Sequence, residues 1–179
     1  KILNLNMGEF LSLLMELNKV PLFRCLNEDE KRQILSICSL KTFFKDQPVI
    51  KQGDLDAGFY VAVAGTLNMT VKNMQGGENL IRSIGPGEYF GEEAIFANCR
   101  RMIGVFPATE YAKVLHIDRN GLFHFIRTYP AGGAKILVYM INNLIKNLDK
   151  IKNYPFIQLQ SLDQTSVEQE IQKLLEIIN

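Results

Sequence analysis

The first forty residues carry apolar positions with the period of an α-helix. The apolar residues Phe10, Leu11, Leu13, Leu14 and Leu17 recur with a helical period, which predicts an amphipathic helix that Pro21 ends. Asn27 is followed three residues later by Glu30, and this spacing predicts a capping box at the start of a second helix. An apolar stripe continues behind the box, so we expect the second helix to reach about Ser39.

The pattern changes between residues 41 and 117, where short apolar runs are separated by turns that contain glycine. Leu67, Met69 and Val71 alternate with polar residues, so this run predicts a strand with one buried and one solvent-facing side. Strands this short and numerous bury their edges best in a sandwich or a roll. The predicted strands are Thr42–Phe44, Val49–Lys51, Phe59–Ala64, Leu67–Val71, Asn79–Ile84, Met102–Phe106 and Ala112–Ile117.

The helical period returns after Ile117. Asp118 is a predicted N-cap for a short helix that Tyr129-Pro130 ends. A longer apolar series follows with alternating steps of three and four residues over about two and a half heptads, which favours a helix paired with a second copy. A helix that faces the core of its own chain has the same spacing, so both interpretations stay open. The series is Ala134, Leu137, Ile141, Leu144, Leu148 and Ile151.

These patterns divide the chain into four segments. Tyr154-Pro155 breaks the long helix, and apolar residues between Val167 and Ile178 predict one last amphipathic helix. We expect N-terminal helices over residues 1–40, a β region over 41–118, a hinge and long helix over 119–153, and a tail over 154–179. The chain begins with Lys1 rather than Met, so we also expect that it is a piece of a longer protein.

Composition limits the classes of partner. With 20 basic and 19 acidic residues, the chain has no sequence-wide positive field for nucleic acid, so any anion binding must be local. Cys25, Cys38 and Cys99 are odd in number and lack zinc-site spacing, which argues against a disulfide framework or metal site and fits the cytoplasm. No apolar run approaches the roughly 20 residues that span a bilayer, and no signal peptide opens the chain, so we expect an intracellular protein without membrane contact.

The segment between Gly85 and Arg101 carries the candidate chemistry. A glycine-rich turn runs into a short helical turn, where successive backbone N–H groups can bind an anion. Glu92 and Arg101 lie nine residues apart, and neither charge is expected to be buried there unless it is paired with the other or with a ligand. A structural ion pair and a solvated surface arginine are the alternatives to a ligand site.

The residues Phe90-Gly91-Glu92-x-Ala94, followed by Arg101, resemble the phosphate-binding cassette of the cyclic nucleotide-binding domain family. This family includes catabolite activator proteins and the regulatory subunits of protein kinase A. The resemblance covers about residues 20–150 and includes Pro21-Leu22-Phe23, Ile50-x-x-Gly53-Asp54, Phe59-Tyr60-Val61-x-x-x-Gly65 and Ile117-Asp118-Arg119. It implies a mainly β fold: an eight-stranded antiparallel, jelly-roll-like β-roll with N-terminal helices, a cassette over residues 85–104 and a long C-terminal helix.

The resemblance also implies roles for the cassette residues. Glu92 would accept hydrogen bonds from the ribose 2′-hydroxyl, and Arg101 would hold the cyclic phosphate. Backbone N–H groups around Gly91 to Ile95 would complete the anion site, and Glu93 is expected to point outward. The expected ligand contacts therefore include Phe90, Gly91, Glu92, Glu93, Ala94, Ile95, Arg101, Met102 and Ile103. Residues that could wall the base, each with ordinary β core as the alternative role, are Val71, Leu80, Ile84, Ile103 and Val105.

The chain departs from the family pattern directly after the arginine. Met102, Ile103 and Gly104 replace residues that are usually small or hydroxylic, and a bulky Met102 could crowd the phosphate. The missing hydroxyl near Gly104 favours cAMP over cGMP. The segment from Phe106 to Tyr111 also looks one residue longer than usual, so the register of this loop is open.

We therefore predict a regulatory domain that binds cAMP or cGMP without catalysis or a metal. The two histidines are eight residues apart in different elements, and no nucleophile motif or Walker-type loop occurs. Ligand occupancy would bias the helix over residues 133–151, with Asn143, Lys146 or Asn147 near the base edge. That helix would also form a homodimer through residues 134–151 and control an attached or separate effector.

Two other functions stay open at this point. A degenerate β-roll could bind proteins alone, which Met102 and the lost hydroxyl suggest. The chain could also be the sensor half of a transcription regulator. The latter needs a helix-turn-helix after the long helix, and the remaining residues have room for one helix only, so we expect no direct nucleic-acid binding by this segment.

Overall fold

Two helices and a 3₁₀ turn open the part of the chain that the computed structural model describes, which is residues 7–73, 77–97 and 99–151. The helices are α1 at Met7–Lys19 and α2 at Glu28–Ile37, and the turn is Pro21–Phe23. The predicted capping box is confirmed: the Glu30 N–H donates to Asn27 Oδ1 at 2.8 Å, and the Asn27 N–H donates to Glu30 Oε2 at 2.8 Å.

The second helix ends two residues before the predicted position at Ser39. Cys38 adopts an extended conformation and begins the first strand, where it pairs with Ile117. Its apolar side chain is buried, so it extended the helical stripe in the sequence although it belongs to a strand. Long-range pairing therefore decides this boundary against the local helical period.

Antiparallel strands form two sheets, which confirms the β-roll with flanking helices. The strands are β1 at Cys38–Phe44, β2 at Gly58–Ala64, β3 at Leu67–Lys72, β4 at Glu78–Ile84, β5 at Tyr89–Phe90, β6 at Gly104–Pro107 and β7 at Tyr111–Asp118. One sheet has the order β1-β7-β2-β5, and the other has the order β4-β3-β6.

The described residues form seven named strands rather than eight. The predicted strand at Val49–Lys51 contributes only a single bridge, between Ile50 and Val105. Tyr89–Phe90 is a strand that the sequence pattern did not predict, because two residues carry no periodicity.

Strand β2 separates two apolar cores. Phe59 and Val61 face the helices, where they join the larger cluster, and Tyr60 and Ala62 face the second sheet. This strand is apolar on both sides, which explains its continuous run of buried residues. Strand β5 pairs with β2, and the glycine turn and short helix of the cassette follow β5 directly. Contacts with both apolar cores therefore fix the position of the cassette.

The chain leaves the β-roll through two helices, α4 at Arg119–Thr128 and α5 at Pro130–Ile151. The predicted N-cap is confirmed, since Asp118 Oδ1 accepts from the Gly121 N–H at 2.8 Å. The long helix begins at Pro130, because proline is tolerated in the first turn of a helix. A Cβ on Gly133 would lie 2.9 Å from the Ile126 Cα, so α4 and α5 are in close backbone contact.

Of the predicted apolar seam of α5, Leu137 is half-buried and packs on the larger cluster, but the core-facing stripe lies mainly at other residues. Ile136 and Met140 are fully buried in the larger cluster and form the core-facing stripe. Ala134 and Leu144 are exposed, and Ile141 is 55% exposed. The side chains of Leu148 and Ile151 lie outside the described part of the chain, as does the predicted tail. No helix in the described ranges is both long and apolar enough to cross a membrane.

Candidate functional site

Within the cassette, the turn that precedes the short helix begins at Gly91, where the backbone adopts a left-handed conformation with φ of +79°. A Cβ at this position would lie 2.9 Å from Arg101 Nη1 and 2.9 Å from Ile50 Cδ1. Glycine is therefore required twice, once for the backbone angle and once for the close approach of the arginine. After this turn, Glu92 leads into the four-residue helix α3 at Glu93–Phe96.

Arg101 is the most buried charged side chain of the site, with 1% of its surface exposed. Its Nη1 donates to the Gly91 carbonyl at 2.7 Å and to Glu93 Oε1 at 3.2 Å. Its Nη2 donates to Asp56 Oδ2 at 2.7 Å and to the Gly58 carbonyl. The Nε has no hydrogen-bond partner within the described chain. The guanidinium is thus held inside the protein by two carboxylates and two carbonyls.

These contacts overturn two expectations about the acidic residues. Glu93, expected to point outward, forms an ion pair with Arg101. The structural ion pair considered between Glu92 and Arg101 is not formed, because the ion pairs of Arg101 within the described residues go to Asp56 and Glu93. The course of the helical turn decides which of the two adjacent carboxylates points to the guanidinium. This course cannot be read from the sequence.

Asp56 is a functional candidate that the sequence interpretation missed. Burial disfavours its ionised form, but the hydrogen bond and charge of Arg101 outweigh burial and lower the pKa of this carboxyl below its usual range. The Tyr60 hydroxyl also donates to Asp56 Oδ2, at 3.0 Å. Asp56 lies three residues after Gly53, in the turn whose residues Gly53-Asp54 resemble the family pattern. This proximity was the one signal in the sequence that could have indicated Asp56.

The turn that contains Asp56 also binds the backbone of the arginine. The Arg101 N–H donates to the Asp54 carbonyl, and the Gly53 N–H donates to the Arg101 carbonyl, both at 2.8 Å. Arg100 donates from Nη1 to the Gly53 carbonyl at 2.9 Å while its side chain stays at the surface. The position of Arg101 is therefore fixed by its main chain as well as by its guanidinium.

Glu92 is half-buried and makes no ion pair with the described residues. Burial raises the pKa of its carboxyl, and the neighbouring charge of Glu93 adds to this effect, while a hydrogen bond from the backbone of Glu92 itself and the charges of Arg82 and Arg101 oppose it. A carboxylate that is partly desolvated without a bonded cation costs stability, and such groups are enriched at ligand sites.

The remaining cassette residues contribute mainly apolar packing. Phe90 is buried and stacks on Tyr60 with ring centroids 5.5 Å apart. Ala94 and Ile95 are buried, and their N–H groups donate to the carbonyls of Gly91 and Glu92, at 3.4 and 3.0 Å. Their amides therefore close the turn and already have acceptors within it.

Among the predicted base-wall residues, the structure separates core from surface. Ile84 and Val105 are fully buried between the sheets, and Val71 and Ile103 are half-buried. Leu80 is 60% exposed, so the structure does not place it on an inner wall. The strand register shifts between Met69 and Thr70, and one extra residue in a strand turns the following side chains to the other face.

Met102 lies at the surface, with 70% of its side chain exposed. It therefore does not fill the interior beside Arg101, contrary to the crowding that its size suggested.

A polar cavity of about 450 Å³ lies between the end of β4, the turn before β5 and helix α5. Its lining residues include Arg82, Ser83, Glu88, Tyr89, Tyr139 and Asn143. Asn143 is one of the three predicted lid residues, and the side chains of Lys146 and Asn147 lie outside the described part of the chain. Burial raises the pKa of Tyr89, which lines this cavity, and the charge of Glu92 adds to the effect.

Arg82 is the second candidate that the sequence interpretation missed. It pairs across the sheet with Met69, two residues from the buried Leu67, so it lies on the inner side of its strand. Its Nη1 donates to Glu88 Oε1 at 3.0 Å, and both side chains are substantially exposed. A single arginine in a β-strand gives no signal in the sequence, because its face depends on the bulge.

No group of three or more metal-ligating side chains gathers anywhere in residues 7–73, 77–97 and 99–151. The carboxylates of Asp56, Glu92 and Glu93 and the guanidinium groups of Arg82 and Arg101 can bind hydroxyls, anions and base edges.

Comparisons with known proteins agree with this geometry. A family model described as the cyclic nucleotide-binding domain matches residues 40–129. A cAMP-dependent protein kinase regulatory subunit of Mycosarcoma maydis is 32% identical over 111 residues, which cover 55% of this chain and 21% of that protein. A cGMP-dependent protein kinase of Drosophila melanogaster is 26% identical over 139 residues, which cover 76% of this chain and 13% of that protein.

Solved structures share the fold. The catabolite activator protein of Thermus thermophilus superposes with a TM-score of 0.64 at 25% identity, over 72% of this chain and 60% of that one. The chain spans less than two thirds of each of these three relatives. With a family model that matches half of its length and a β-roll that carries the cassette, the chain belongs to the cyclic nucleotide-binding domain family.

Proposed function

We propose that this chain is a regulatory domain that binds cAMP or cGMP between the cassette, β4 and α5. One observation carries the proposal: a half-buried carboxylate without an ion pair, Glu92, lies one residue from a glycine that holds a buried guanidinium. A purely structural cassette would gain stability from an uncharged residue at 92, because a desolvated carboxylate is costly. Its presence is explained by a ligand that donates hydrogen bonds to it.

The chemistry of the two ends of the cassette fits a cyclic nucleotide. A ribose 2′-hydroxyl donates one hydrogen bond, and the ionised Glu92 is an acceptor only. The cyclic phosphate carries one negative charge, and Arg101 supplies a planar set of donors for its oxygens.

At the base end, two features favour different nucleotides. The absence of a hydroxyl at Gly104 favours cAMP, as the sequence indicated. Arg82 favours cGMP, because a guanidinium donates to the O6 and N7 acceptors of guanine, whereas adenine presents a donor at N6. The ion pair between Arg82 and Glu88 is exposed and costs at most about 1 kcal/mol to open, so it does not prevent this contact.

Helix α5 is the element that would transmit occupancy. Tyr139 and Asn143 line the cavity. Ile136 and Met140, on the same helix, pack in the larger apolar cluster. The Tyr139 ring lies 6.3 Å from the ring of Tyr89, which lies in the cassette two residues before Gly91. A nucleotide that binds one position of α5 more tightly than another shifts the population of helix positions.

The output of this movement would be a change in pairing between two copies along the exposed seam of α5, within residues 134–151, in the cytoplasm. The substitution Ile141→Lys places a charge on the seam without touching the core stripe. Sedimentation velocity is expected to shift from dimer to monomer for this variant and to stay unchanged for Lys135→Arg. A wild-type chain that sediments as a monomer at all concentrations contradicts the dimer. The proposal also includes the division of the chain into N-terminal helices, a β region, a hinge with the long helix, and a tail.

A second function has one observation in its favour. All four Nη protons of Arg101 have acceptors inside the protein, as a β-roll that only binds proteins would show. Titration calorimetry with cAMP and with cGMP separates the two functions. Nucleotide binding predicts saturable heat for the wild type, at least tenfold weaker binding for Glu92→Gln, and no change for the surface control Glu110→Gln. A folded wild type that gives no heat with either nucleotide favours the protein-binding alternative.

A further inference from the structure

We infer that Glu93 sets the anion affinity of the cassette, because its carboxylate occupies the Nη1 donor of Arg101 that an anionic oxygen of the ligand would take. Binding is then an exchange of one carboxylate for one phosphate. This inference rests on the proposed function for the identity of the anion, but the exchange itself is a property of the arginine and its acceptors.

The number of free N–H donors on Arg101 limits how a phosphate can bind. A guanidinium has five N–H groups, and each hydrogen bond to a phosphate oxygen uses one of them. In Arg101 both Nη groups have two acceptors each, and only Nε lacks one within the described residues. The Nε–H points to the Nη2 side of the guanidinium, so a phosphate on the Nη1 side, where the cassette turn lies, receives a hydrogen bond only when an acceptor of Nη1 leaves.

The four acceptors of Arg101 differ in how easily they can leave the guanidinium. The carbonyls of Gly91 and Gly58 belong to the backbone, with Gly58 paired to Asp118 in the sheet and Gly91 in the turn directly after β5. Asp56 is 2.7 Å from Nη2 and also accepts from Tyr60, so its departure would break two hydrogen bonds. Glu93 has the longest contact, at 3.2 Å, and 39% of its side chain is exposed. Its carboxylate can therefore rotate into water at the smallest cost.

The charges around Arg101 also oppose the addition of a phosphate while Glu93 is in place. Arg101 carries one positive charge and already faces two carboxylates, while Glu92 adds a third close by. A phosphate added to this set meets net repulsion. Turning Glu93 into solvent leaves a neutral pair of Arg101 and Asp56, and water then screens the displaced carboxylate. The residue thus lowers the affinity of the cassette without taking part in the bound geometry.

The test compares Glu93→Gln with Glu110→Gln, which removes one negative charge from a turn remote from Arg101. We expect Glu93→Gln to bind cAMP or cGMP about tenfold more tightly than the wild type, a factor that corresponds to about 1.4 kcal/mol. Glu110→Gln is expected to stay within twofold. Calorimetric titration gives both affinities. If the wild type binds nucleotide and Glu93→Gln binds equally or more weakly, the exchange is wrong while the proposed function stands.

A second measurement does not require a nucleotide. The melting temperature is followed against inorganic phosphate at constant ionic strength, adjusted with sodium chloride. We expect a saturable rise for Glu93→Gln that exceeds the rise of the wild type and of Glu110→Gln. If no variant binds a nucleotide but this rise occurs, the proposed function fails and the exchange stands. Equal phosphate responses in all three proteins would overturn the exchange.

Discussion

The two ends of the site differ in how firmly they are held. At the cassette, Arg101 is buried and fixed by side-chain and main-chain hydrogen bonds on several sides. Beneath α5, Arg82 and Glu88 are exposed, their ion pair is weak, and the cavity is open. A rigid end sets the orientation of a ligand at little entropic cost, and an adaptable end allows the covering helix to move. Changes at the cassette should therefore affect stability most.

The largest effect is expected for Asp56→Ala. This change leaves the buried guanidinium without its closest carboxylate, and breaking such a pair costs about 3 kcal/mol of unfolding free energy. Urea denaturation measures the loss. Asp54→Ala, in the same turn but with an exposed side chain, is expected to cost less than about 0.5 kcal/mol. Equal losses for the two variants contradict a special role of the Asp56 contact.

Gly91→Ala is the next largest change. A Cβ at 91 meets Arg101 Nη1 in addition to the strain of a positive φ, so we expect a loss of about 2 to 3 kcal/mol together with the loss of ligand binding. Gly53 has a φ of +92° with no atom within 4 Å of the added Cβ. Gly53→Ala therefore measures the backbone strain alone, and a difference near zero between the two variants shows that the arginine does not constrain position 91.

Glu92→Gln is expected to stabilise the protein while it weakens binding. The pKa of Glu92 is raised in the folded chain, so ionisation costs folding free energy as the pH rises through and above the ordinary value of 4.5. The variant should gain stability over the wild type on the order of 1 kcal/mol at neutral pH, and the difference should vanish below pH 4. Chemical denaturation at several pH values checks this; a variant less stable at pH 7 indicates a structural role for the carboxylate.

The smallest effect concerns His116, whose ring lies behind Asp56 with Nε2 4.0 Å from Oδ1. Burial lowers the pKa of His116, with Lys41 adding to the effect, so the unfolded chain takes up the proton first when the pH falls. Stability should therefore decrease below about pH 6.5, by under about 1 kcal/mol per pH unit. His116→Gln should flatten this slope, whereas the exposed His124→Gln should leave it unchanged.

The same contrast describes what the sequence could predict. The short strands of a sandwich or roll followed from local information, because apolar alternation and glycine turns occur within short windows, as for Leu67 to Val71. The β-roll itself was implied by the family resemblance. The caps at Asn27 and Asp118 depend on three residues or fewer and were confirmed. The boundary at Cys38 was wrong by two residues, because its pairing with Ile117 is not local.

The partners inside the site required the structure. Asp56 and Arg101 are 45 residues apart, and no periodicity links them. The faces of Leu80 and Arg82 depend on an irregular register next to Thr70, where one extra residue reverses the side of the strand. Local patterns therefore indicated the strands and helices, the family resemblance indicated the cassette, and the folded structure determines which charged side chains meet.

A crystal structure of the chain grown with saturating cAMP or cGMP tests the central claim most directly. The account predicts density for the sugar hydroxyl at the Glu92 carboxylate and for the phosphate at the Arg101 guanidinium, with Asp56 still bonded to Nη2. Nucleotide density elsewhere on the protein, or none at all while Arg101 keeps its four present acceptors, would contradict it.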